Sequence, residues 1–174
     1  MTTGAVLLRG VNVGRHHRIS MPDFRRVLEG AGGTDVRTYV QSGNAVLSWT
    51  GRPASLERAV ADGLEAELGL RVPVTVRTAA ELHAVVEGNP WAGQELDPKR
   101  FQVAFLSGPV DPVRLAALDQ EALLPERLAV GDRVLYLWHA EGVQRSRLAR
   151  VDLGDVEATS RNWTTVTALR ELAR

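Results

Sequence analysis

VRTYVQSGNAVLSW, residues 36 to 49, reads as two strands joined by a tight polar turn. Asp35–Val40 and Ala45–Trp49 are the strands, and Gln41-Ser42-Gly43-Asn44 between them has turn composition. Working upstream, Gly4–Arg9 (GAVLLR) reads as a buried strand. A helix follows from Ser20-Met21-Pro22-Asp23: Ser20 suits the cap, Pro22 the first turn, and Asp23 lies three residues after the cap. Phe24, Val27, Leu28 and Ala31 form its apolar face, and Gly32-Gly33 end it. Downstream, Pro53 opens a second helix whose Leu56, Ala59, Val60, Leu64 and Leu68 recur at helical spacing up to Gly69. Val72–Arg77 is a fourth strand, which Pro73 assigns to an edge. The order is βαββαβ, the ferredoxin-like pattern.

The second half repeats most of this order. A helix over Ala79–Glu87 leads into the Pro/Gly-rich segment Gly88–Gly93, and Phe101–Leu106 is the next strand. Pro112–Gln120 reads as helix, Arg127–Val130 and Arg133–Trp138 as a hairpin over Gly131-Asp132, and Arg145–Arg150 as a short helix. From Ser160 the tail carries Trp163, Val166, Leu169 and Ala173 on one face and reads as helix. The expected fold is α+β: two ferredoxin-like halves of βαββαβ type, an inexact structural duplication with antiparallel sheets covered by helices. The halves are expected at residues 1–88 and 99–174, with 89–98 connecting them.

With 44% hydrophobic residues among 174, the chain can bury a core. No run approaches the roughly 18 apolar residues of a membrane span. Residues 1–10, MTTGAVLLRG, lack the basic and apolar regions of a signal peptide, so a cytoplasmic location is expected. The absence of cysteine excludes disulfides, thiol nucleophiles and thiolate metal sites. Net charge is zero, yet residues 1–50 hold six arginines against three acids, an excess of +3. That is weak for a protein that grips the nucleic-acid backbone and suits one small anion.

In a ferredoxin-like sheet the strand order is 4-1-3-2, so strand 1 ends where strand 3 begins. The loop after Arg9 is therefore expected beside the QSGN turn, about 30 residues away in sequence. Gly10 to Ile19 is ten residues, longer than the roughly 2–6 usual between strand and helix, and long glycine- and asparagine-bearing loops at strand ends often carry function.

LLRGVNVG, VRTYVQSGNAVLSW, VPVTVRTAAEL, NPW, VAFLSG and SRNWTTV occur in this order and resemble the successive blocks of the bacterial domain-of-unknown-function family 1697. The resemblance runs from about residue 5 to the end. It implies two related α+β halves and brings no established reaction or ligand. The family tends to place a further glycine after the N-V-G core, where this chain has Arg15 followed by His16-His17-Arg18.

The candidate ligand-binding residues are Arg9, Gly10, Asn12, Gly14, Gln41, Ser42, Gly43 and Asn44, with Arg161 and Asn162 at the start of the last helix. No G-x-x-x-x-G-K-[ST] or G-x-G-x-x-G motif accompanies the glycines, which fit either a phosphate contact or an irregular loop. Asn12 and Asn44 fit ligand orientation or Asx-turns equally. Arg9 keeps its charge and needs an internal acid or a ligand anion. Ser42 lies outside a nucleophile elbow and reads as a turn serine. Adjacent His16 and His17 would point apart, a poor metal geometry, so no metal and no cofactor is expected. Trp91 and Trp163 read as packing anchors.

The leading functional reading is a binding module for a small phosphorylated or carboxylated ligand. An enzyme acting on such a ligand, with His16 or His17 as acid–base group, is weakened by the lack of paired carboxylates. Single-stranded nucleic-acid binding is weakened because strand 1 carries no aromatic residue. A protein-interaction role would need an exposed apolar patch. Whether a reaction occurs, and the oligomeric state, are left open by the sequence.

Overall fold

The computed structural model describes residues 1–174. The chain begins with β1 (Thr2–Leu8), α1 (Met21–Gly30), β2 (Thr34–Tyr39), β3 (Asn44–Trp49), α2 (Pro53–Leu68) and β4 (Val74–Thr78), and α3 (Ala79–Glu87) follows without a break. The sheet order is β2-β3-β1-β4 with every neighbour antiparallel. β1 is thus central, and Gly4 to Leu8 are all buried. Pro73 precedes the edge strand β4, where a missing N–H costs no ladder bond.

Helix α1 starts where Ser20 Oγ accepts the Asp23 N–H at 3.1 Å, and it buries Phe24, Val27 and Leu28. Helix α2 ends at Gly69, which takes the left-handed conformation (φ 64°). Both helices cover one sheet face: Val6 and Leu8 of β1 and Ala45, Leu47 and Trp49 of β3 pack with Phe24, Leu28, Leu56, Val60 and Leu64.

The remainder contains β5 (Phe101–Leu106), α4 (Pro112–Ala116), α5 (Gln120–Leu123), β6 (Arg127–Gly131) and β7 (Val134–Trp138). Two 3-10 turns (Val143–Arg145 and Arg147–Arg150), β8 (Ala158–Asn162) and α6 (Trp163–Leu172) complete it. Its sheet order, β6-β7-β5-β8, repeats the first, and all of its neighbours are antiparallel. The fold is a duplicated α+β arrangement of two four-stranded sheets. Packing divides the chain into Met1–Ala84 with Ala168–Arg174, and Val85–Thr167.

The second half departs from the sequence expectation in three places. The expected helix over Pro112–Gln120 breaks after Ala116, because Asp119 caps a new turn by accepting the N–H groups of Glu121 and Ala122. The expected helix at Arg145–Arg150 is 3-10, interrupted where Ser146 Oγ accepts the Leu148 N–H. The expected helical tail from Ser160 begins instead as β8, with Ser160 opposite Ala104 and Asn162 opposite Gln102. Sheet pairing overrides the cap-like composition of this polar segment.

Ser20→Ala should lower stability by about 1 kcal/mol, read as a fall in the urea midpoint. The Asp23 carboxyl is held below its ordinary range by hydrogen bonds from Ser20 and then Arg26. Its contribution is therefore present above the unfolded-state pKa and lost as pH falls through the folded one. Asp23→Asn should remove that part of the acid dependence.

Candidate functional site

The antiparallel pairing of β1 with β3 sets Leu7 opposite Asn44, and the Leu8 N–H donates to the Gly43 carbonyl at 2.8 Å. The loop leaving β1 and the turn entering β3 therefore lie at one end of one sheet. Residues 10–19 connect β1 to α1. They fold back as a narrow ribbon in which Asn12 N–H donates to the His17 carbonyl at 3.1 Å and Val13 pairs with His16. Gly10, Asn12, Gly14 and His17 all take positive φ, which lets so short a ribbon reverse.

Asn12 ties the ribbon down. Its Oδ1 accepts the Ile19 N–H at 3.0 Å, and its Nδ2 donates to the carbonyls of Ile19 at 3.0 Å and Gln41 at 2.6 Å. One carboxamide thus grips both backbone groups of Ile19 and reaches across to the turn. Asn44 does similar work inside that turn: fully buried, it donates to the Tyr39 carbonyl at 3.2 Å and to Ser42 Oγ at 2.9 Å. Gly43 is required by contact. A Cβ there would lie 2.6 Å from the Val11 side chain and 2.8 Å from that of Leu8, and φ is 76°. Val40, at the turn's entrance, is exposed and holds φ 48°, an expensive conformation for a β-branched residue.

Arg9 is half-buried, with its backbone N–H on the Pro73 carbonyl. Gln41, Arg15, His16, His17 and Arg18 are exposed. Between ribbon, turn and the first turn of α1 lies an open cleft of about 460 Å³, lined by Asn12, Arg18, Ile19, Ser20, Met21, Pro22 and Gln41. Arg18 is its only cation. Arg9, the cation expected there from the sequence, is not among its lining residues, and the fold-back that brings Arg18 to it has no sequence signature.

Arg161 and Asn162 belong to the other packing unit, so Arg9 to Asn44 form one group and these two another. Arg161 pairs opposite Val103 in β8, where burial pushes its pKa down to about 10, and it donates to the Ser160 carbonyl. Asn162 Oδ1 accepts the Thr165 N–H at 2.9 Å, so Asn162 caps α6. Trp91 and Trp163 flank Phe101, with ring centroids 5.2 and 4.5 Å away. No three His, Asp or Glu side chains gather where they could hold a metal ion, and no helix is long and apolar enough to cross a membrane.

A family model described as "Protein of unknown function (DUF1697)" matches residues 1–136. No curated protein matches the chain. Among solved structures, the conserved bacterial protein SP0830 from Streptococcus pneumoniae is similar with a TM-score of 0.80 at 21% identity, covering 99% of both chains. At that identity the likeness speaks for the fold.

Two substitutions in the turn should act in opposite directions. Gly43→Ala should destabilise by more than about 1 kcal/mol, since the new Cβ meets both φ strain and side-chain overlap. Val40→Asn should stabilise by up to about 1 kcal/mol, because Asn adopts the left-handed region more easily. Urea titrations of the two variants read both effects.

Proposed function

We propose that the chain, which belongs to the DUF1697 family, is a binding module for a small phosphorylated or carboxylated ligand at the ribbon–turn end of the first sheet. The observation that carries this reading is the division of labour around Asn12. The inward polar groups, Asn12 and Asn44, are consumed in holding ribbon and turn together. The outward ones, Arg15, His16, His17 and Arg18, are exposed and basic or titratable. A pinned loop that projects cations beside a cleft is preorganised, so binding does not have to order it. Arg18, beside Ser20 at the start of α1, supplies a fixed charge with a forked donor set suited to phosphate or carboxylate. The first turn of α1 adds the positive end of a helix dipole, reduced by Asp23.

Inorganic phosphate, titrated at low ionic strength and followed by calorimetry and melting temperature, tests the reading. Saturable binding should weaken with added salt. Arg18→Gln should reduce it about tenfold or more, while Arg58→Gln, on an exposed position of α2, leaves it unchanged. Absence of saturable binding at millimolar phosphate, or equal binding by Arg18→Gln, removes this function.

A further inference from the structure

The duplicated sheets can be compared residue by residue, because the same hydrogen bond recurs in each. Leu8 N–H donates to the Gly43 carbonyl in the first, and Leu106 N–H to the Arg133 carbonyl at 2.9 Å in the second. Gly43 and Arg133 both have positive φ. Counting from these bonds, the Val6–Val76 pair of the first sheet corresponds to Ala104–Ser160 of the second. Trp49, opposite Thr2, corresponds to His139, whose N–H donates to the Arg100 carbonyl at 3.0 Å.

At three matched positions of one sheet face the second unit carries a smaller or more polar side chain, Ala for Val, Ser for Val and His for Trp, whereas Gln102 for Gly4 and Leu135 for Ala45 are larger. The cover differs as well. The 16-residue helix α2 packs over this face in the first unit, and two 3-10 turns of three and four residues take its place in the second. Between this face and its shorter cover lies a cavity of about 370 Å³ within the second unit, a size at the small end of ligand pockets, which run roughly 300–1,000 Å³. Its body is apolar, with Leu137 from the sheet and Leu148 and Leu153 from the cover. Its polar groups are Gln102, His139 and Ser160.

His139 is 2% exposed, and neither Nδ1 nor Nε2 has a hydrogen-bond partner. Leaving such a buried group unsatisfied is costly, so a partner is expected for it. Burial pushes the His139 pKa down, only partly opposed by the Glu126 carboxylate, and so favours a neutral ring with one donor and one acceptor. The lining holds no Lys or Arg to pair a carboxylate or phosphate.

We propose that this cavity binds a small uncharged amphiphile, a hydrocarbon body lying against the leucines with a hydroxyl or carbonyl head hydrogen-bonded to His139, Gln102 or Ser160. This site is independent of the basic ribbon in residues, ligand charge and test.

The test titrates the full chain with 1-octanol and, separately, with sodium octanoate at neutral pH. Melting temperature and the ring-nitrogen resonances of the four histidines are followed. Octanol should raise the melting temperature saturably and move the His139 ring resonances most. Octanoate should bind about tenfold or more weakly, since its carboxylate would enter the cavity unpaired. His139→Trp restores the residue of the first unit; it should melt at or above the wild-type temperature and lose the octanol response. Should that variant not fold, Ala104→Val, which also restores the first unit's residue and narrows the cavity, should weaken octanol binding. The proposal is overturned by the absence of a saturable octanol effect, by octanoate binding equally well, by the largest change falling on another histidine, or by a folded cavity-filling variant that binds octanol undiminished.

Discussion

The antiparallel pairing of β1 with β3 governs what this chain can build. About 35 residues separate Leu8 from Gly43 in sequence, and closing that separation costs chain entropy before any contact is gained. The return comes from apolar side chains on both strands, which are buried along almost their whole lengths. Once Leu7 lies opposite Asn44, a shift of one residue would turn every side chain of β3 to the wrong face. The loop after β1 and the turn before β3 are neighbours as a consequence.

Asn12 converts that proximity into a defined surface. A ten-residue loop made only of backbone would populate many shapes, whereas three hydrogen bonds from one side chain join it to Ile19 and to Gln41. The same logic explains Asn44, buried with its amide satisfied by the turn it stabilises. Polar residues that look like ligand contacts in a sequence can thus be internal fasteners, and their exposed neighbours carry the charge.

Much of the fold was legible because it rests on local rules. Ser20, Pro22, Gly69 and Pro73 mark element ends by capping and by the limits on φ, and the periodic apolar residues mark the faces of α1 and α2. The eighth strand was not legible: Thr159, Ser160, Arg161 and Asn162 look like a helix start, and only pairing with β5 makes them extended. The meeting of residues 10–14 with 41–44 followed from strand order. The roles within it did not, since neither the fold-back of the ribbon nor the left-handed Val40 has a sequence signal. His139 is not singled out by the sequence, for a different reason. A histidine after a strand is unremarkable until a register comparison shows that it stands where the first unit buries a tryptophan.

Asn12 holds the ribbon to the sheet end, and amide hydrogen exchange reads that hold residue by residue. In the wild type, the amides of Ile19, bonded to Asn12 Oδ1, and of Leu8, bonded to the Gly43 carbonyl, should both be protected. In Asn12→Ala, protection of Ile19 should fall by about tenfold or more while that of Leu8 persists, showing the ribbon released from an intact sheet. Equal exchange of Ile19 in the two proteins would show that Asn12 does not hold the ribbon.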